Sequence, residues 1–313
     1  MLPDKKQLSQ LIKQQALNLG FSNIGFAEAG FLSTQAATYE QWLKNGNQAG
    51  MQYMERNIDK RLNPKLLVDN AKTVISVLYN YYTPKKLSNP DAPQFSIYAN
   101  GTDYHYVIKD MLTRLTNFIL SIAGPVNARS FVDSAPVMDK IWAQKAGLGW
   151  IGKNSCLITP TGSFYFIGEI ICDLELAYNN VEMKDYCGNC TRCIQACPTG
   201  AINTNRTINS GKCISYLTIE ERNEIPVELK QKFENWVFGC DICQNVCPHN
   251  SRAIIHNEQA FEPNPELFSK SLTDWLQLSK PEFKRLFKNS AVQRTGYKGL
   301  MRNITFINNV SSN

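Results

Sequence analysis

The chain has 313 residues, 43% of them apolar and 19% charged, with a formal net charge of +6. That length allows two or three domains, and the balance is that of a globular protein, not a disordered or fibrous one. No apolar run approaches the roughly 20 residues of a membrane-spanning helix, and the opening MLPDKKQLSQLIKQQ lacks the apolar stretch of a signal peptide.

Taken in order, Lys5 to Leu19 places Leu8, Leu11, Ile12, Ala16 and Leu19 on one helical face, and Gly20 closes that helix. Phe21 to Ala27 reads as a strand, Thr34 to Leu43 and Lys65 to Asn70 as helices, and Val74 to Tyr79 as a second, buried strand. Thr83 to Pro93 is a polar, proline-bearing loop. Tyr104 to Ile122 is a long helix with Val107, Ile108, Met111, Leu112, Leu115, Phe118, Ile119 and Ile122 facing a core. Ala128 to Val132 is a third strand, followed by a helix from Pro136 to Ala146 with Pro136 in its first turn. Ser155 to Ile158 and Ser163 to Ile171 alternate like paired strands around a turn from Thr159 to Gly162. The pattern predicts a mixed fold (α+β or α/β) over residues 1–178, a cysteine-rich domain over 179–257, and a short basic helical tail over 258–313. Between Lys280 and Arg302 that tail sets seven basic residues against Glu282 alone, a local +6, with Phe283, Phe287 and Tyr297 interleaved. Such a patch can follow phosphates and stack bases, or it can be an ordinary solvated helix face.

Ten cysteines dominate the chemistry. Cys187, Cys190, Cys193 and Cys197 form C-x2-C-x2-C-x3-C before Pro198; Cys240, Cys243 and Cys247 precede Pro248, with Cys213 between the two runs. The first run has the bacterial ferredoxin spacing, in which the fourth cysteine ligates the other cluster of a pair. The swap predicts one [4Fe-4S] cluster on Cys187, Cys190, Cys193 and Cys247, and a second on Cys197, Cys213, Cys240 and Cys243. Thiolate-held clusters wired together move single electrons and fit a reducing cytoplasm. Zinc on paired CxxC motifs is the competing reading, and the tight first run suits it poorly. Cys156 and Cys172 read as small buried hydrophobes.

Other motifs are weaker. Gly147, Gly149 and Gly152 match G-x-G-x-x-G but follow a helix and precede a strand, the reverse of a dinucleotide site; Asn154 stands where a P-loop needs Ser or Thr. A glycine helix stop with close backbone approach explains them. Asp133 follows a strand, where ligands gather in α/β sheets, yet Asp133 and Ser134 also make a natural helix cap. Asp103-Tyr104-His105 starts a cobalamin D-x-H-x-x-G signature, but Ile108 replaces its glycine. Only three histidines are present.

These residues together resemble the epoxyqueuosine reductases, cobalamin-dependent enzymes of tRNA queuosine biosynthesis. The resemblance rests on KRLNPKLLVDNAKTVI (Lys60 to Ile75), YANGTDYH (Tyr98 to His105), VDSAPVMDKIWAQKAGLGWIGKNSCLI (Val132 to Ile158), GEI (Gly168 to Ile170), CISYLTIE (Cys213 to Glu220), GCDICQNVCP (Gly239 to Pro248) and the cysteine pattern. It implies a base-off cobalamin without a histidine ligand, seated between an N-terminal α/β domain and a ferredoxin-like two-cluster domain, with Asp133 as proton donor. It places Arg61, Ser96, Asp133, Lys153, Asn154, Ser155, Ser215 and Asp241 at cofactor-binding positions. Many family members continue as HEAT-like repeats, so the third domain here reads as a shortened one.

The expected activity is reduction of epoxyqueuosine at the tRNA wobble position to queuosine, epoxide to alkene, with two electrons and two protons. A useful acid at Asp133 must be protonated near neutral pH, which burial beside an apolar corrin favours. The expected partners are a tRNA anticodon stem-loop and a low-potential electron donor, with no membrane, and a monomer in the cytoplasm. A corrinoid reductive dehalogenase and a plain iron–sulfur carrier are the alternatives; the first usually carries an export signal, the second needs no separate α/β domain.

Overall fold

A computed structural model describes residues 3–85, 92–179 and 183–308. Helix α1 (Lys5–Asn18) starts at a capping box. The Asp4 carboxylate accepts from the Gln7 amide, and the Gln7 side chain accepts from the Asp4 amide. The helix stops before Gly20, whose φ of +102° suits glycine. Then come β1 (Asn23–Glu28), α2 (Ser33–Lys44), α3 (Ile58–Leu62), β2 (Thr73–Asn80), β3 (Gln94–Phe95), α4 (Tyr104–Ala123), β4 (Ala128–Phe131), α5 (Asp139–Lys145), β5 (Trp150–Ile151), β6 (Leu157–Ile158) and β7 (Tyr165–Cys172).

Four strands form one sheet in the order β1-β2-β7-β4, every neighbour antiparallel. β2 lies in the middle and is buried on both faces, hence its continuous apolar run. Ile75, Val77 and Tyr79 pack under α1 and α4, with Leu8, Ile12, Ile108, Leu112 and Leu115. Val74 and Leu78 face the other side, with Trp142 and Ala143 of α5. A Cβ on Gly25 would overlap the Ala146 carbonyl oxygen, so the end of α5 rests on β1 only because glycine stands there.

The second half holds α6 (Arg192–Ala196), α7 (Ile214–Ile219), β8 (Trp236–Phe238), α8 (Ile242–Asn245), α9 (Pro265–Ser269), α10 (Leu272–Leu276), α11 (Lys280–Leu286) and α12 (Gly296–Asn308). The helices after residue 258 share one core with the cysteine-bearing segment: Leu217, Phe233 and Phe238 pack with Trp275, Phe287, Leu300 and Ile304. β3 pairs in parallel with β8, joining this half to the first.

Several expectations change. The main sheet is antiparallel, so of the two expected classes the first half is α+β, and the parallel-sheet rule for ligand sites does not apply to Asp133. The helix expected at Lys65 to Asn70 is a short 3-10 turn, Pro64–Leu66, with the true helix, α3, just before it. α5 begins at Asp139, not Pro136. β6 pairs with β5, whereas β7 joins the main sheet; Thr159 and Gly162 close their turn by two mutual backbone bonds without the flanking strands pairing. The loop expected at Thr83 to Pro93 lies partly outside the described residues.

Candidate functional site

Cys187, Cys190, Cys193 and Cys247 line one cavity, together with Lys153 and Asn154. Cys197, Cys213, Cys240 and Cys243 form a second group, in which burial first and then neighbouring sulfurs push the Cys240 and Cys243 thiols upward. Burial likewise raises Cys193, Cys213 and Cys247. A bound cation overrides that preference, because the thiolate is the ligand form. Backbone amides are already aimed at the sulfurs: Ser215 and Tyr216 at Cys213, Ile242 at Cys240, His249 and Asn250 at Cys247. The Ala201 amide reaches the Cys197 Sγ at 3.3 Å. Among the described residues no three such side chains converge tightly enough to grip a single ion. Thiols around a shared space suit a four-iron cube better than one zinc, whose ligands must sit about 2.3 Å from one point.

The loop after β4 presents Asp133 at the surface with φ +50°. Its Oδ2 accepts a hydrogen bond from Tyr104 Oη at 2.6 Å. Tyr104 opens α4 and stacks on Phe166, ring centres 4.2 Å apart and planes 8° from parallel, so the hydroxyl is held firmly. Asp133 does not cap α5: the cap position is Met138, with no side-chain bond. The left-handed turn at Asp133 carries the chain onward, and the helix starts six residues later. The burial expected of Asp133 is not found: its side chain is exposed.

Two carboxyls that sequence reasoning missed lie behind it. Glu169, in β7, is 0% exposed, and neither carboxyl oxygen has a partner. Its pKa is held well above the usual range by burial, then by the charges of Asp139 and Asp133. Asp139, the first residue of α5, is pushed up to about 7 by burial and by Asp133, against Lys140 and Arg61.

Two family models match: the 4Fe-4S double cluster binding domain over residues 186–250 and epoxyqueuosine reductase QueG, DUF1730, over residues 61–134. An epoxyqueuosine reductase of Cellulophaga algicola is 52% identical over 304 residues, covering 97% of this chain and 99% of that protein. An epoxyqueuosine reductase solved with an epoxyqueuosine-modified tRNA-Tyr stem loop matches with a TM-score of 0.89 and 31% identity, over 96% of this chain and 80% of that one. The Bacillus subtilis epoxyqueuosine reductase, solved with its catalytic aspartate loop swung out of the active site, matches at 0.89 and 31%, over 96% and 81%. The chain belongs to the epoxyqueuosine reductase family.

Within this family member the expected cofactor residues fall into three places. Lys153, Asn154 and Ser155 lie by the first cysteine group: Lys153 Nζ donates to the carbonyls of Gly188 and Cys190 at 2.8 and 2.9 Å, and Ser155 Oγ to that of Arg206 at 2.6 Å. Ser96, Asp241 and Ser215 lie by the second. Ser96 donates to the buried Asp241 carboxyl, which also accepts from the Ile97 amide at 2.9 Å and is raised by burial to about 6. Arg61 stands near Asp133, one Nη donating to the Tyr53 carbonyl at 3.0 Å. Two donors in this set are buried without a partner, Arg61 Nε and Asn154 Nδ2. A buried donor left unpaired costs about 1–3 kcal/mol, so both suit a ligand bearing acceptors. Of the histidines, His105 Nδ1 pairs with Asp103 at 2.7 Å, His249 packs on Trp150, and His256 packs on Phe261 with both ring nitrogens buried and unpartnered.

The basic tail of this reductase is less free than its charge count implies. Arg285 forks onto Glu266 and Arg294 onto Glu220. Arg302 donates to the carbonyls of Leu217, Glu221 and Asn223. Lys280, Lys284, Lys288 and Lys298 remain exposed. Arg294 also feels the charge of Asp133, so the tail reaches the neighbourhood of that carboxylate.

Proposed function

We propose that this chain reduces epoxyqueuosine in tRNA to queuosine, converting an epoxide to an alkene with two electrons and two protons and releasing water. The observation that carries the reading is a combination: a chain with two groups of four cysteines also presents a loop carboxylate, Asp133, held by the Tyr104 hydroxyl. The names of the relatives favour it over a dehalogenase, and the separate α and β domain that carries Asp133 favours it over a plain carrier.

Cobalamin, when bound, would supply the two-electron centre that one-electron clusters lack. Arg61 Nε and Asn154 Nδ2 would bind its polar groups, with Ser96, Lys153, Ser155, Ser215 and Asp241 around it, base-off and without a histidine ligand. Asp133 would hold a proton on one carboxyl oxygen and give it to the oxygen leaving the epoxide carbon. The Tyr104 hydroxyl keeps the other oxygen occupied and so orients the donor. The exposed lysines of the tail would follow the phosphates of the anticodon loop while the modified base is splayed inward. On this reading residues 1–178 bind cobalamin, 179–257 carry both clusters, and 258–313 brace them, in a cytoplasmic monomer fed by a low-potential donor.

The test is anaerobic reconstitution with iron, sulfide and cobalamin, a low-potential reductant, and stem-loop RNA carrying epoxyqueuosine, read by nucleoside mass spectrometry. Queuosine formed only when cobalamin is present is the expected result. Intact clusters with bound cobalamin and no queuosine would overturn it.

A further inference from the structure

Asp133 is one carboxyl and carries one proton, whereas the proposed reaction delivers two protons to the same departing oxygen. The first makes a hydroxyl, the second takes it away as water. Something must reload Asp133 within a turnover, while the substrate base covers it.

The chain has a candidate directly behind. β4 and β7 pair with Phe131 opposite Glu169, and Ser76 lies opposite Glu169 on the other side. Side chains alternate across a sheet, and the odd-numbered β7 residues Ile167 and Ile171 pack on the α5 side. Glu169 therefore points toward α5, whose first residue is Asp139. The loop from β4 to α5 begins with Val132 and Asp133, so three carboxyls run from the rim inward: Asp133 exposed, Asp139 half-buried, Glu169 fully buried. Both Glu169 oxygens and Ser76 Oγ are buried without a partner. The cations that act on Asp139 are Lys140, whose Nζ donates to the Ser155 carbonyl at 2.8 Å, and Arg61. Only carboxyls act on the charge of Glu169. A buried carboxyl beside two others stays neutral.

We propose that Asp139, backed by neutral Glu169, is a proton store that recharges Asp133 during each turnover. This rests on the reductase reading above. Asp133 gives its proton to the epoxide oxygen and becomes a carboxylate. The Asp139 carboxylic acid then passes its proton to Asp133, directly or through one water, and is left ionised. Asp133 gives that second proton to the hydroxyl, which departs as water, and solvent restores both groups after product release. Two protons are consumed, none is created, and the electrons come from the clusters. Asp139 acts only through Asp133, so it is a positioning and supply residue. Because Asp139 is protonated below about 7 and ionised above, turnover should fall as pH rises through that value.

The test uses the reconstituted holoenzyme and the epoxyqueuosine stem-loop. Asp139→Asn should lower kcat on the order of tenfold or more, leave KM within about twofold and remove the alkaline decline, and Asp139→Glu should restore both rate and decline. A full kcat in Asp139→Asn, or the same alkaline decline, would overturn the proposal. Infrared difference spectra give a readout that needs no reaction: one protonated-carboxyl band that titrates near neutrality and is lost in Asp139→Asn, and one that persists and is lost in Glu169→Gln. If wild type makes no queuosine, the reductase reading falls, and the spectra still decide the store: an Asp139 already ionised at pH 6 sinks it.

Discussion

Asn303 is the residue through which the tail should govern cluster stability. It is 0% exposed in α12 and its Nδ2 donates to the Thr218 and Val237 carbonyls, both at 2.8 Å. Thr218 lies in α7, which begins immediately after Cys213; Val237 lies in β8, which ends two residues before Cys240. One side-chain amide thus clamps the two segments that deliver ligands of the second cysteine group. Thr218 adds a second tie, its Oγ1 accepting from the Gly239 amide at 3.0 Å. Asn303→Leu keeps the volume and strands two buried carbonyls, at about 1–3 kcal/mol each, so the expected loss is about 2–6 kcal/mol. Leu300→Ala, a cavity in the same core costing about 2–5 kcal/mol, is the matched control. Thermal unfolding and iron release to a chelator, with the two clusters separated by electron paramagnetic resonance, give the readout. Asn303→Leu should lose the Cys197/Cys213/Cys240/Cys243 cluster first, whereas Leu300→Ala should lose both together. Equal loss of both clusters in Asn303→Leu, or an unchanged melting temperature, would refute the clamp.

Asp133→Asn should retain an acceptor for Tyr104 and therefore the loop geometry, while kcat falls about 10²–10⁴-fold; single-turnover kinetics with separately measured RNA affinity check it. Lys284→Ala with Lys288→Ala should weaken stem-loop binding and flatten its salt dependence by roughly one phosphate contact per lysine, seen in binding titrations across ionic strength. Arg285→Ala should leave the chemical-denaturation midpoint essentially unchanged, since both it and its partner Glu266 sit at the surface where solvent screens the pair. Asp139 binds a proton in the folded chain at pH values where the unfolded chain has released it, because its folded pKa is raised to about 7. Its neutral form is thus favoured by folding, and stability from this group is lost as pH climbs from about 4 through 7. Asp139→Asn should raise the melting temperature more at pH 8 than at pH 5.

The double 4Fe-4S cluster domain could be read from spacing because ligand chemistry is written locally: two or three residues between thiols set how amides wrap a cluster. Glu169 could not be read that way. It sits in YFIGEIIC, where alternation marks a strand, and only its burial on the α5 side turns a charged residue into a chemical question. The signal was a lone carboxylate in an otherwise apolar strand, since such groups are almost never fully buried without a partner. The α5 start was misplaced for a related reason. Pro136 is a good first-turn residue, but the left-handed turn at Asp133 moves the helix onset, and nothing local in Asp-Ser-Ala-Pro announces it.

The basic tail shows the same limit in charge. Counting gives +6 between residues 280 and 302, yet the partners that absorb its arginines, Glu220 and Glu266, lie outside that window. A guanidinium forks onto a carboxylate in fixed geometry, while an ammonium on a flexible stem keeps its hydration. The division seen here follows: Arg294 and Arg302 pin the tail to the cysteine-bearing segment, Arg285 pairs within the tail, and the lysines stay exposed. A tail built this way serves two ends with one set of charges. Arg294 and Arg302 hold the start and body of α12 against the segment that follows Cys213, Arg285 pairs within the tail, and Arg294, which feels the charge of Asp133, brings the edge of the lysine surface near that carboxylate. Any RNA gripped by those lysines is therefore referenced to the carboxyl chain through rigid elements, which is what moving a proton to one atom of a large substrate demands.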